Sequence, residues 1–133
     1  MELKDIYKIE NELKIKLPES YKSVMQCHPF EDNKKEPNIT FCLINNVDEI
    51  IKENKEIQKE GFLGTPWKAN LFVIGKDGAG NYYYINLNER INNKVFVTDF
   101  TFEEGEELNY IISNSLTDFI EFKIEIKQES ESD

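Results

Sequence analysis

Apolar residues recur three or four positions apart in the first part of the chain. This spacing predicts an amphipathic helix over residues 2–14, with its inner face formed by Leu3, Ile6, Ile9 and Leu13. A second helix is expected to begin at Pro18, because proline is favoured in the first helical turn, and to end before Pro29. The chain therefore opens with two helices.

A third helix is predicted after a short stretch of strand at Thr40 to Ile44. Asn46 is a favoured residue for the N-cap of this helix, and Gly61 is expected to end it. Its apolar positions again follow helical spacing, at Val47, Ile50, Ile51 and Ile57.

The middle of the chain has the composition of β-strands. Aromatic and β-branched residues dominate four short runs that are separated by turn residues, at Leu71 to Ile74, Tyr82 to Leu87, Val95 to Thr98 and Leu108 to Ile112. Strands that follow one another through short turns favour an antiparallel sheet.

A last helix is predicted from Ser115, because Ser115 and Asp118 have the spacing of a capping box. The tail from Gln128 to Asp133 has no apolar residue and is expected to fray. Together these elements predict an α+β fold: a single domain over residues 1–127 with an antiparallel sheet flanked by N-terminal and C-terminal helices.

Charge is distributed unevenly along the 133 residues. The whole chain has a formal net charge of −10, but residues 95–133 alone hold eleven acidic residues and two lysines. Such a surface repels phosphate backbones and anionic membranes and attracts basic partners, although acidic residues also serve simple solubility. Nucleic acid and membrane are therefore not expected as partners.

The glycine-rich segment from Gly75 to Asn81 is a candidate phosphate-binding loop. A Walker loop or a dinucleotide fingerprint leads into a helix, whereas this segment leads into a predicted strand. A calcium loop needs several acids, and only Asp77 is present. We expect a hairpin turn in which Gly78 and Gly80 supply positive φ angles.

Residues for catalysis or metal binding are sparse. His28 is the only histidine, and its neighbour Cys27 would point in a different direction on a helix, so a Cys–His nucleophile pair is not expected. Cys27 and Cys42 are expected to be thiols in a reducing compartment. The start of the chain does not have the apolar stretch of a signal peptide. The sequence therefore predicts a cytoplasmic protein that is not an enzyme and has no cofactor or metal.

Three segments in order resemble the SUKH superfamily, the relatives of the yeast cell-wall-assembly regulator. The first is Glu12-Leu13-Lys14-Ile15-Lys16-Leu17-Pro18-Glu19-Ser20-Tyr21; the second runs from Leu71 through the glycine turn to Ile85; the third is Ser115-Leu116-Thr117-Asp118-Phe119-Ile120. The segment Cys27-His28-Pro29-Phe30 departs from the family pattern, which often has a small glycine-containing turn there.

The resemblance implies an immunity protein that binds a cognate protein toxin. Many toxins of this kind are nucleases, and a nuclease presents a basic cleft to its substrate. An acidic inhibitor can compete for such a cleft, so the expected partner-binding residues are Asp99, Glu103, Glu104, Glu106 and Glu107. The alternative is a non-catalytic regulatory interaction module without a toxin partner. A monomer or weak homo-oligomer is expected in either case.

Overall fold

The computed structural model describes residues 1–27, 39–40, 43–62, 64–76, 80–89, 93–98 and 109–119. Within these ranges the elements are α1 (Leu3–Leu13), α2 (Glu19–Cys27), β1 (Ile39–Thr40), β2 (Leu43–Ile44), α3 (Val47–Glu60), β3 (Leu71–Lys76), β4 (Tyr82–Asn86), β5 (Val95–Thr98) and β6 (Asn109–Ser113). The predicted tail, residues 128–133, lies outside them.

The strands form one six-stranded sheet in the order β1-β2-β3-β4-β5-β6, and every neighbouring pair is antiparallel. The sheet and its helices confirm the predicted α+β class. The sheet follows chain order because each strand is joined to the next by a connection too short for a crossover helix, apart from β2 to β3, between which α3 lies.

One predicted strand is wrong. The segment Thr40 to Ile44 was expected as a single strand, but Thr40 pairs with Leu43 and Ile39 pairs with Ile44. The chain therefore reverses direction between two strands of two residues each. No glycine, proline or asparagine marks this reversal, so the sequence has no local turn signal there.

The boundaries of α3 are those predicted. Asn46 Oδ1 accepts a hydrogen bond of 3.0 Å from the backbone N–H of Glu49, which satisfies one of the free donors of the first turn. Gly61 ends the helix with φ 75° and ψ −169°. A Cβ at this position would lie 2.4 Å from the backbone oxygen of Thr65, so glycine is required by both conformation and space.

The two faces of the sheet are covered by different elements. On one face, Tyr21 of α2 packs edge-on against Phe72, and Phe119 packs against Tyr83. On the other face, Trp67 packs edge-on against Tyr84. Alternation along β4 was predicted to place Tyr83 opposite Tyr82 and Tyr84, and these contacts confirm it.

Helix α3 is fastened to the edge of β3 by the buried side chain of Asn54. Its Oδ1 accepts from Val73 N at 2.8 Å, and its Nδ2 donates to Val73 O at 3.1 Å and to Ile50 O at 2.9 Å. Strand β2 pairs with β3 only at Gly75. The amide of Asn54 therefore takes the place of a neighbouring strand where β2 has ended.

The beginning of the last helix is also as predicted. Ser115 Oγ accepts from the backbone N–H of Asp118 at 3.1 Å, and residues 116–119 are helical. Leu116 and Phe119 are buried in the core, so this turn closes one face of the sheet.

Candidate functional site

The five predicted partner-binding acids, Asp99, Glu103, Glu104, Glu106 and Glu107, lie outside the described residues. They belong to the connection between β5 and β6, residues 99–108. Its two ends are described: Thr98, the last residue of β5, pairs with Asn109, the first of β6. The acidic connection therefore leaves and re-enters the sheet at adjacent positions.

Thr98 fixes the point at which the acidic connection leaves the sheet. Its side chain is buried, and Oγ1 accepts a 2.9 Å hydrogen bond from Tyr82 N. The same hydroxyl donates to Asn81 Oδ1 at 3.1 Å. These bonds join the end of β5 to the start of β4, so the acidic connection begins beside the β3–β4 turn.

The β3–β4 connection is the predicted hairpin turn. The φ angle of Gly80 is 102°, as expected for a position that favours glycine, and β3 and β4 pair from Leu71↔Asn86 to Lys76↔Tyr82. Gly78 and Asp77 lie outside the described residues. No helix follows the turn, because β4 begins at Tyr82.

A partly buried ion pair lies at the same end of the sheet. Glu53 of α3 is buried and pairs with the ammonium group of Lys76. Burial lowers the pKa of Lys76, but the hydrogen bond and charge of Glu53 outweigh it, and the net pKa is raised. Burial, followed by the charge of Glu53, raises the pKa of Tyr82. Both shifts move titration away from neutral pH, which suits a structural pair rather than an acid–base catalyst.

An apolar strip crosses the sheet from its middle to its β6 edge, on the face that carries Trp67. Tyr84 stacks on Phe96 with ring centroids 5.4 Å apart, and Phe96 pairs with Ile111 across β5 and β6. Ile111 is 54 % exposed, and its neighbour Ile112 is 42 % exposed. We call Tyr84, Phe96 and Ile111 the apolar strip.

A cleft of about 340 Å³ lies beside the apolar strip and is lined by Trp67, Tyr84 and Phe96 among others. Trp67 is held in place by a 3.0 Å hydrogen bond from Nε1 to Leu71 O. This surface was not predicted from the sequence. The sequence feature that could have indicated it is the pair Ile111-Ile112 in the last strand. Neighbouring side chains of a strand point to opposite faces, so a strand with one buried face would leave one of these isoleucines exposed.

Metal-ligating side chains are not clustered in the described ranges. There, no three His, Cys, Asp or Glu side chains come together in a way that could hold a metal ion. His28 and Cys42 lie outside these ranges, and Cys27 is the last residue of α2. None of the helices in the described ranges has the length and apolar character needed to cross a bilayer.

Comparison with protein families identifies the family of this chain. The model of the SMI1 / KNR4 family (SUKH-1) matches residues 2–121, which include all the helices and strands described above. No curated protein and no solved structure matches the chain. The match covers the three segments on which the resemblance was based and confirms it. The chain belongs to the SMI1 / KNR4 family (SUKH-1).

Proposed function

We propose that this protein is a cytoplasmic immunity protein that binds a basic toxin through the acidic connection between β5 and β6. Membership of the SUKH-1 family suggests a function of the immunity or SMI1/KNR4 type, by protein binding rather than catalysis. The observation that favours the immunity type is the concentration of acidic residues in one connection: Asp99, Glu103, Glu104, Glu106 and Glu107.

Charge density supports the proposal. No lysine or arginine occurs from Val95 to Phe122, so nothing within this segment compensates its acids. A nuclease toxin presents a basic cleft to its substrate, and a carboxylate-rich segment competes for the same cleft. Long-range attraction also accelerates capture, which protects a cell better than slow binding of equal affinity.

The ends of the connection support it as well. Because Thr98 and Asn109 are paired, the connection between them begins and ends at the same end of the sheet. The apolar strip begins two residues from each end, at Phe96 and Ile111. Binding interfaces commonly combine a desolvated aromatic or aliphatic contact with a charged rim, and these two regions could supply both.

The alternative is an SMI1/KNR4-type regulatory module whose partner is not a toxin. The feature that favours it is the apolar strip, because Ile111 and Phe96 are uncharged and can contact a partner that is not basic. A module of this kind would bind through the strip with little dependence on salt, whereas acidic capture depends on it strongly.

The proposal is tested by screening basic toxin domains encoded beside genes of this family, starting with any that neighbours this gene. Co-expression should restore growth to bacteria that express the toxin, and the purified proteins should form a complex. We expect the association rate constant to fall about tenfold or more between low and physiological salt, because the attraction is long-range.

Two matched variants separate the acidic connection from overall charge. E103K/E104K changes the net charge by the same amount as E60K/E89K. Glu60 lies in the last turn of α3, and Glu89 follows β4 at the end of the sheet opposite Thr98. We expect association to slow only in E103K/E104K. Equal rates in both variants would contradict the acidic site, and failure to neutralise any neighbouring toxin would favour the regulatory module.

A further inference from the structure

A cavity of about 500 Å³ opens where the end of α1, the second half of α3 and the start of β3 meet. It lies at the end of the sheet opposite the acidic connection, because it is lined by Leu71 and Phe72 at the start of β3 and by Leu87, which follows β4. Its volume lies within the range that small-molecule sites in proteins occupy.

The floor of this cavity is apolar. Phe72 and Leu87 are buried beneath it, whereas Leu13, Ile15 and Leu71 are only half-buried. The partly exposed aliphatic side chains come from the end of α1, the residues after it and the start of β3, and all three line this cavity. Covering them with an apolar ligand would remove their surface from water, which favours binding.

The rim of the cavity is basic in a protein of net charge −10. Lys14, Lys55 and Lys59 line it, with Glu12 as the single carboxylate. Glu12 is engaged by Lys55, with Oε2 3.1 Å from Nζ. Within the described part of the chain, no ion pair joins Lys14 or Lys59 to an acid. Two ammonium groups, one on α3 and one at the end of α1, therefore remain for an anion.

The position of Lys14 is a second unusual feature of the rim. It follows α1 in the left-handed conformation, with φ 56° and ψ 49°, and its N–H bonds to Glu10 O. Glycine or asparagine is the usual residue at such a helix end, because a Cβ is unfavourable there. The chain nevertheless has a lysine, and this lysine lines the cavity.

We propose that this cavity binds a medium-chain aliphatic carboxylate. The apolar floor would take the alkyl chain, and Lys14 and Lys59 would hold the carboxylate at the opening. This class of ligand is proposed because the cavity has two kinds of lining. A small inorganic anion would leave the apolar floor in water, and a neutral hydrocarbon would form no ion pair with the two ammonium groups.

The test titrates octanoate into the ¹⁵N-labelled full-length protein and follows the backbone amide signals by NMR. Saturable shifts are expected for Lys14, Leu71 and Phe72, with little change at β6. Octanamide, which has the same chain and no charge, should bind about tenfold more weakly, since a charge-assisted hydrogen bond is lost. Absence of saturable shifts, or equal binding of the amide, would overturn the proposal.

A variant pair checks the rim. K14Q/K59Q should weaken octanoate binding about tenfold, whereas K52Q/K94Q, which removes the same charge at two exposed lysines outside the cavity, should change it less than about twofold. Equal weakening of octanoate binding in both variants would mean that overall charge causes the effect, which would contradict the proposed site. Shifts of the cavity signals with protein concentration alone would identify a second copy as the occupant, which also contradicts it.

Discussion

The connections of the β3–β4 and β5–β6 hairpins leave the sheet at the same end, yet the two hairpins are built differently. In the first, both strands are buried through their middle residues and the connection is five residues long, from Asp77 to Asn81. In the second, the outer strand carries the exposed Ile111 and Ile112, and the connection has ten residues, five of them acidic.

This difference separates residues that hold the fold from residues that are available for contact. The first hairpin lies in the middle of the sheet, where Phe72 is covered by Tyr21 of α2 and Tyr84 by Trp67 from the connection before β3. The second lies at the sheet edge in the described fold, where apolar side chains remain in water. Substitutions should therefore affect stability in the first hairpin and binding in the second.

The largest expected effect compares F72A with I111A. Phe72 is 1 % exposed and contacts Tyr21, so F72A should lower the free energy of unfolding by about 3–5 kcal/mol through lost burial and a cavity. Ile111 is more than half exposed, and I111A should change it by about 0.5 kcal/mol or less. Urea unfolding at neutral pH measures both. Similar losses in the two variants would remove the distinction between the hairpins.

A smaller effect is expected at the turn of the first hairpin. Gly80 has a φ of 102°, and a Cβ there would meet no atom within 4 Å. G80A should therefore lower stability only through backbone strain, by about 1–2 kcal/mol. Thermal unfolding should show a lower Tm with an unchanged folded spectrum. An unchanged Tm would mean that the turn can adopt a negative φ at this residue, and the hairpin would be less constrained than described.

The smallest effect on stability at neutral pH is expected for Y21F. Tyr21 lies in α2 and packs on the face of the first hairpin that carries Phe72. The hydroxyl of Tyr21 is buried and has no hydrogen-bond partner among the described residues. Removing it should change the free energy of unfolding by about 0.5 kcal/mol or less at pH 8. A loss above about 1 kcal/mol would show that the hydroxyl is hydrogen-bonded and contradict this expectation.

The same variant should differ from the parent at alkaline pH. Burial raises the pKa of Tyr21 above its ordinary value of 10, so the folded state keeps the proton to higher pH than the unfolded state. The stability that Tyr21 contributes in this way is complete below about pH 10 and is lost as pH rises through the folded pKa. Urea unfolding at pH 8 and pH 11 should therefore show a smaller alkaline loss in Y21F.

Features set by neighbouring residues in the sequence were predictable. The N-cap of α3 depends on Asn46 and the N–H three residues later, and its end depends on the conformational freedom of Gly61. The turn at Gly80 and the helix start at Ser115 are of the same kind. In each case a side chain or a backbone angle within four residues decides the structure.

Features that depend on distant parts of the chain were missed. The reversal between Thr40 and Leu43 has no turn residue, and β2 is placed by its pairing with Gly75 in the distant strand β3. The lysine-rimmed cavity combines residues of α1, α3 and β3. The burial of Asn54 did have a signal, since it lies three or four residues from Ile50, Ile51 and Ile57 on the inner side of α3. The predicted acidic site lies outside the described residues and stays a prediction.

The bond between Asn54 and Val73 makes one backbone amide a reporter for the attachment of a helix. The N–H of Val73 is donated to a side chain of α3 and not to a strand, so its hydrogen can exchange with deuterium only when the helix withdraws or the domain unfolds. The N–H of Phe72, one position away, is not bonded to α3 by Asn54. Comparing exchange at these two neighbours would time the release of α3 from the sheet separately from the opening of the sheet itself.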